Sequence, residues 1–218
     1  AVDAIGNVAY CAPGQDPVAQ TLPTPDMTNN DIDRIAYANN YLYVLNRGVD
    51  TIHVYRATNG QFLDPPSDFF GDAGEGKKPD LSRIVDLAVN GPELYLLRSD
   101  GLLDDCIASG LPGNPVNCEN PVDYVDGRPG KEDQPLTMPD SNYIGLLYTS
   151  PPDPSVSVLD GTTGDIYRFS LRFRLYDRIR PNLGDYEINT PEATAFTIGI
   201  DRFAFLAFGN QIFYAYIE

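Results

Sequence analysis

Short apolar runs alternate with turn-forming residues along most of the chain. Residues 35–63 read as a strand, an Asn39-Asn40 turn, a second strand, a polar turn, a third strand and, after Asn59-Gly60, a fourth. Asparagine-glycine and related dipeptides between alternating apolar runs are strong signals for β-hairpins. This segment is therefore predicted to be a four-stranded β-meander.

Three further segments repeat this pattern, at residues 84–108, 143–176 and 196–218. Their second strands are predicted to begin about 50, 60 and 50 residues apart, near Leu42, Leu94, Val156 and Phe203. Propeller blades of four strands repeat roughly every 40–50 residues. The pattern predicts an all-β, β-propeller-like fold of about four antiparallel four-stranded meanders, with blades near 31–64, 82–126, 142–180 and 193–218.

The fourth repeat ends after its third strand. We expect the apolar residues 5–12 to close this last blade as its outer strand, because propellers commonly cover an open edge in this way. Residues 1–30 would then be a closing strand and linker, and 31–218 the propeller-like domain. Two alternatives stay open: the C-terminal blades of a larger propeller, and an open β-sandwich.

The repeats resemble a known class of propeller. Residues 42–63, "LYVLNRGVDTIHVYRATNGQFL", are similar to a blade of the NHL-type propellers. The tract 84–172, from "IVDLAVNGPELYLLRSDG" to "PPDPSVSVLDGTTGDIYRFSLR", also resembles uncharacterised propeller-like regions of bacterial surface proteins, such as those of green non-sulfur bacteria. The resemblance implies a binding or scaffold module; NHL-type propellers include RNA binders and, more rarely, lyases.

The charge of the chain excludes some classes of binding partner. The 218 residues carry a formal net charge of −16, which argues against nucleic acid or an anionic membrane surface as a ligand. No run of about 18 apolar residues occurs, so no transmembrane segment is predicted. The chain begins with Ala1 and has no signal-peptide pattern, and we therefore expect a processed product or a piece of a longer polypeptide.

Cys106 and Cys118 bracket a loop rich in glycine and proline, with 11 residues between them. We predict a disulfide, because no histidine or second close cysteine joins the pair to make a metal site. A disulfide favours an exported protein, in an extracellular or cell-envelope location. Cys11 would remain as the odd cysteine, either buried, free or paired outside the chain.

Arginines occupy alternate positions in "RFSLRFRLYDRIR". A period of two would place all five on one face of a long outer strand. Such a row is a candidate interface for an acidic partner or an anionic glycan; the alternative is a charged edge that pairs with neighbouring acids and prevents aggregation. The five are Arg168, Arg172, Arg174, Arg178 and Arg180.

Other polar groups give weaker signals. His53, the single histidine, lies within a predicted strand with no nucleophile near it in sequence. Residues 160–165 and 67–76 carry carboxylates around glycines, so a calcium site is conceivable there, although a hairpin turn and a solvated loop explain them more simply. No other cofactor or metal is predicted. Several tyrosines suit either sugar stacking or core packing: Tyr41, Tyr43, Tyr55, Tyr143 and Tyr148.

The sequence favours a function in binding over one in catalysis. No residue is assigned a catalytic role, because no phosphate loop, dinucleotide fingerprint, zinc motif or nucleophile elbow occurs. We predict a structural or protein-interaction module of an exported bacterial assembly, whose partners are other subunits or domains. Loops 64–81, 107–141 and 181–192 would carry recognition. The alternatives are a carbohydrate- or cation-binding propeller and a glycan-acting hydrolase or lyase, for which Asp33 and Asp86 are candidate carboxylates.

Overall fold

A computed structural model describes residues 7–10, 16–23, 32–71, 78–108, 116–119, 121–131, 134–182, 192–199 and 201–217. The fold is all-β, and helix within these ranges is limited to two 3₁₀ turns, Arg47–Val49 and Leu81–Arg83. Apart from a separate two-stranded hairpin near the N-terminus, four sheets follow one another along the chain, antiparallel except for one short parallel pair, and this is the organisation of a four-bladed β-propeller. The predicted fold class is confirmed.

The chain divides into two compact units. The first comprises residues 1–83, 89–95 and 105–119, and the second comprises residues 84–88, 96–104 and 120–218. The second of the four sheets has four strands between residues 84 and 119, each paired with the next along the chain. These strands are β7 (Ile84–Asn90), β8 (Glu93–Arg98), β9 (Leu103–Ala108) and β10 (Val116–Glu119).

In the first unit, the predicted meander forms a sheet of four strands, each paired with the next along the chain. Asn39 and Asn40 both have positive φ, 52° and 65°, as a two-residue type I′ hairpin turn requires. Asn59-Gly60 also makes a tight turn, but the strand predicted directly after it is wrong. Two prolines follow, and the fourth strand starts only at Ser67. The strands are β3 (Ile32–Ala38), β4 (Tyr41–Asn46), β5 (Thr51–Arg56) and β6 (Ser67–Asp68).

The N-terminal strand has a different partner from the predicted one. β1 (Asn7–Tyr10) pairs antiparallel with β2 (Val18–Thr21) in a separate two-stranded sheet. The prediction that this strand closes the last blade is therefore wrong. A partner only about ten residues away is easier to reach than one at the other end of the chain, because the loop to be closed is short.

The β1–β2 hairpin is held on the first sheet by apolar and polar contacts. Val8 and Leu22 are buried in one cluster with Leu42, Tyr55 and Phe62. The Gln20 side chain donates from Nε2 to the Gly60 carbonyl at 3.1 Å and accepts at Oε1 from the Phe62 amide at 3.0 Å. The hairpin is thus part of the core of the first unit.

In the second unit, the third sheet has six strands rather than the predicted four. β11 (Val125–Asp126) pairs in parallel with β16 (Arg174–Ile179), and β12 (Gln134–Pro135) pairs with β11. These two short strands come from the segment 107–141 that was predicted to be a loop, and they cover what would otherwise be an open sheet edge. The remaining strands are β13 (Tyr143–Thr149), β14 (Ser155–Asp160) and β15 (Ile166–Phe169).

The last sheet has three strands among the described residues, each paired with the next along the chain. One of its faces packs against the third sheet, where Leu206 and Phe208 join Leu159 and Ile166 in a buried cluster. The strands are β17 (Ala195–Ile198), β18 (Phe203–Phe208) and β19 (Gln211–Tyr216).

Candidate functional site

The arginine-rich segment is two strands and not one. Ser170–Phe173 form a tight turn, in which the Phe173 amide donates to the Ser170 carbonyl at 2.9 Å and Phe173 has φ of 54°. Arg168 lies on β15 before this turn, Arg172 lies exposed within it, and Arg174 and Arg178 lie on β16. The predicted long outer strand is therefore wrong, and Arg180 follows the end of β16.

A β-bulge also breaks the common face that the alternation predicted. The register pairs Arg168 with Asp177 but Tyr167 with Arg178. Successive side chains of a strand point to opposite faces. Arg168 and Arg178 therefore project from opposite faces of the sheet. The role of these arginines as one interface stays a prediction that the geometry does not test.

Arg178 and Arg180 are engaged with one acid. Asp165 is 1% exposed and forms ion pairs with both guanidinium groups, at 3.2 Å from Arg180. The Arg178 guanidinium also lies 5.0 Å above the Tyr167 ring. These contacts correspond to the alternative in which the arginines pair with neighbouring acids.

Arg168 is the most enclosed of the five arginines, with 8% of its side chain exposed. Its Nη2 donates to Asp153 Oδ2 at 2.9 Å, its Nη1 lies 3.7 Å from Asp177 Oδ2, and its guanidinium lies 5.0 Å from the Tyr176 ring centroid. Its Nε is buried without a hydrogen-bond partner. The bulge brings both Tyr176 and Asp177 to Arg168, since bulges re-aim side chains.

Two recesses of the second unit meet at this ion pair. One has a volume of about 200 Å³ and the other about 320 Å³. Both are lined by Asp153, Arg168 and Arg202. Burial raises the pKa of Tyr176, at the second recess, so its phenol is neutral at pH 7 and can both donate and accept hydrogen bonds. We call these the Arg168 recesses.

The outward face of the last sheet is apolar. The register pairs Phe203 with Tyr216, Phe205 with Tyr214, and Ala207 with Ile212. Ile212, Tyr214 and Tyr216 are 70%, 71% and 58% exposed. These six residues form one surface, the aromatic face, and none of them is an aspartate, glutamate, lysine or arginine.

A groove of about 390 Å³ lies beside this face in the second unit. Its walls include the apolar side chains of Ile166, Ile179, Leu206 and Phe213, with Arg180 among the lining residues. The last sheet therefore presents apolar surface both on its face and along this groove.

Of the two carboxylates considered for catalysis, the structure describes the side chain of Asp86. Asp86 accepts from the Leu146 amide at 2.7 Å and from the Leu87 amide at 2.9 Å, so it fastens β7 to β13. The Asp33 side chain lies outside the described residues. A hydrolytic pair needs two carboxylates about 5–9 Å apart, and the pairing of Asp86 with Asp33 stays a prediction.

The structure describes residues 160–165 in full and residues 67–76 in part. Asp160 ends β14, and its carboxylate accepts hydrogen bonds from Ser141, Thr162 and Thr163, which confirms the hairpin turn. Asp68 lies on β6, while Asp72 and Glu75 lie outside the described residues. No group of three potential metal ligands occurs within the described ranges.

His53 and three of the five tyrosines considered pack against other side chains. His53 lies on β5 beside Tyr55, and burial lowers the pKa of its imidazole, so the ring is neutral at pH 7. Tyr43, Tyr55 and Tyr143 are at most 2% exposed and pack in the interior. Tyr148 is half-buried and lines the smaller Arg168 recess.

Cys106 and Cys118 face each other across β9 and β10 and are joined as a disulfide, with Cα atoms 4.0 Å apart. This bond is compatible with an oxidising compartment. Cys11 lies outside the described residues. In the part of the chain that the structure describes, no helix is long and apolar enough to cross a membrane.

The sequence alone predicted neither the Arg168 recesses nor the aromatic face. The recesses combine Asp153, Arg168 and Arg202 from three separate segments, and no sequence motif links them. The aromatic face did leave a signal, since residues 203–208 and 212–216 are continuous runs of apolar and aromatic residues, but such a run does not say which face of the strand is covered.

Comparisons with known proteins give the fold alone. No protein-family model and no curated protein matches the chain. A protein of unknown function from Bacteroides caccae has a similar structure, with a TM-score of 0.52 at 5% identity, over 94% of this chain and 64% of that one.

Two computationally designed proteins are also similar. Ika8 has a TM-score of 0.46 at 16% identity over 85% of this chain, and Ika4 has 0.45 at 15% over 90%. This chain spans 46% of the Ika8 chain and 97% of the Ika4 chain. The resemblance to NHL-type repeats stays a prediction.

Proposed function

We propose that the chain is a non-catalytic, structural or protein-interaction module of an exported assembly, and that it binds a second copy of itself through the aromatic face. The observation that carries the proposal is the exposure of Ile212, Tyr214 and Tyr216 on adjacent positions of one sheet face. Contiguous exposed apolar patches on soluble domains mark interaction sites. Tyrosine and phenylalanine are also enriched at protein interfaces.

The absence of charged side chains on the aromatic face makes it the place where a second copy can bind. The chain carries a formal net charge of −16, so two copies repel each other over most approaches. The aromatic face has no carboxylate or ammonium group among its six residues. A twofold contact that joins this face to itself therefore buries apolar surface without placing like charges directly opposite each other.

Two sequence features support the broader role. The Cys106–Cys118 disulfide supports an extracellular or cell-envelope location. The similarity of residues 42–63 to NHL-type repeats supports binding rather than catalysis, because that resemblance implies a binding or scaffold module.

Sedimentation velocity over a range of protein concentrations tests the proposal. The native chain should show reversible self-association, and Ile212→Lys and Tyr214→Lys should shift it to monomer, since each lysine places an unpaired charge in the interface. Leu63→Lys is the matched control, because Leu63 is 67% exposed but lies outside the aromatic face. A native chain that stays monomeric, or association that survives both lysines, would show that the aromatic face does not bind a second copy.

A further inference from the structure

The Arg168 recesses have the features of a small-molecule site that is separate from the aromatic face. Together they bring two guanidinium groups, two carboxylates and two phenols to one place on the second unit. Small-molecule pockets usually enclose about 300–1,000 Å³. Recesses of about 200 and 320 Å³ therefore suit a ligand of one or two rings.

Arg168 gives the site a fixed centre. Its side chain is 8% exposed, and Asp153, Asp177 and the Tyr176 ring hold its guanidinium from different directions. Its buried Nε has no hydrogen-bond partner, which is unusual for an arginine in a folded interior. A preorganised guanidinium of this kind loses little entropy when a ligand binds.

The balance of charge decides which ligand class fits. Asp153 and Asp177 both lie close to the Arg168 guanidinium, so an anionic ligand would meet two carboxylates. A cationic ligand would meet Arg168 and Arg202 in the same space. A neutral ligand avoids both repulsions and can use every group present.

Neutral polyhydroxy compounds match this mixed set of donors and acceptors. Each hydroxyl group can donate to a carboxylate and accept from a guanidinium. The apolar lining from Pro152, Ile198 and Ile217, together with Tyr148, suits the carbon–hydrogen faces of a sugar ring. We propose that the Arg168 recesses bind a neutral saccharide unit, with Asp153 as acceptor and with Arg168 and Arg202 as donors.

Nuclear magnetic resonance titration tests this site directly. The probes are the methyl glycosides of glucose, galactose, mannose and N-acetylglucosamine, each followed through backbone amide and arginine Nε–H signals. The titrations use the Ile212→Lys chain, so that self-association through the aromatic face does not affect the result. At least one glycoside should shift the signals of residues 148–153, Arg168 and Arg202 in a saturable way.

Two variants and a matched control locate the binding. Asp153→Asn and Arg202→Asn should each raise the Kd about tenfold, the effect of losing one hydrogen bond to a charged group. Asparagine suits position 202 because Arg202 has φ of 62°, where asparagine is well tolerated. Arg172→Asn should leave the Kd unchanged, because Arg172 is exposed in the turn and lines neither recess.

The opposite results would overturn the proposal. They are an absence of saturable shifts with all four glycosides, an equal Kd in the three variants, or tighter binding of glucuronate than of glucose. If Asp153→Asn does not fold, the titration of the Ile212→Lys chain, whose recesses are unchanged, still tests whether a glycoside binds. A failure of saccharide binding would not affect the proposal of self-association through the aromatic face, so the two proposals are tested independently.

Discussion

Replacing Gly101 by alanine should destabilise the second unit more than the same change at Gly130. Both glycines lie in turns of that unit and both have φ of +83°. An alanine at either position adopts a left-handed conformation that costs roughly 1–2 kcal/mol. The two substitutions therefore share their backbone penalty.

The surroundings of the added methyl group differ. At Gly101 a Cβ would lie 2.6, 2.7 and 2.9 Å from the Cε2, Cδ2 and Cζ atoms of Tyr143, whereas at Gly130 nothing lies within 4 Å. The Tyr143 ring is fully buried, and its hydroxyl donates to the Pro139 carbonyl at 2.8 Å. The Tyr124 hydroxyl also holds the Gly101 carbonyl, at 2.9 Å. The ring and the turn therefore have little freedom to separate.

Overpacking of a well-filled core usually costs about 1–3 kcal/mol. Added to the backbone penalty, this gives a loss of about 2–5 kcal/mol for Gly101→Ala against about 1–2 kcal/mol for Gly130→Ala. Each kcal/mol should lower Tm by about 2–4 °C in a chain of this size.

Urea unfolding, followed by tyrosine fluorescence and far-UV circular dichroism, measures the difference. Thermal unfolding gives an independent ranking of the two variants. Equal losses of unfolding free energy for Gly101→Ala and Gly130→Ala would refute the reasoning. That result would mean that the Tyr143 ring does not limit space at Gly101.

Two further predictions concern the first unit. Burial, together with Glu93 and Glu119, raises the pKa of Asp105 to about 6, above its value in the unfolded chain. The folded state then holds more protons than the unfolded state between about pH 4 and 6, so stability falls as the pH rises through this window. Asp105→Asn should remove this fall and stabilise the unit at pH 7, as urea midpoints across the pH range would show; a pH profile unchanged by the substitution would contradict it. Reduction of the Cys106–Cys118 disulfide should lower the unfolding free energy by about 3 kcal/mol, measured as the urea midpoint with and without reductant. An unchanged midpoint would show that the bond does not constrain the unfolded chain.

Local signals in the sequence determined the strand-turn-strand pattern and, through its repetition, the fold class. Asn39-Asn40 and Gly209-Asn210 each make a turn where the dipeptide predicts one, because glycine and asparagine tolerate positive φ. The turn predicted at Asn90-Gly91 forms one residue later, at Gly91-Pro92. The disulfide was predictable for a similar reason, since both cysteines flank one loop. These features depend on residues that are near each other in the chain.

The tertiary structure decided what the sequence left open or indicated wrongly. The turn at Ser170–Phe173 has no glycine, asparagine or proline, so strict alternation hid it and suggested one long arginine-bearing strand. The β1–β2 hairpin packs on the sheet of the first unit because Val8 and Leu22 are buried with Leu42 and Phe62. Likewise, only folding brings Asp153, Arg168 and Arg202 together and leaves Tyr214 uncovered. Alternation shows that a strand has two faces, but burial is set by contacts between residues far apart in the chain, and those contacts exist only once the chain has folded.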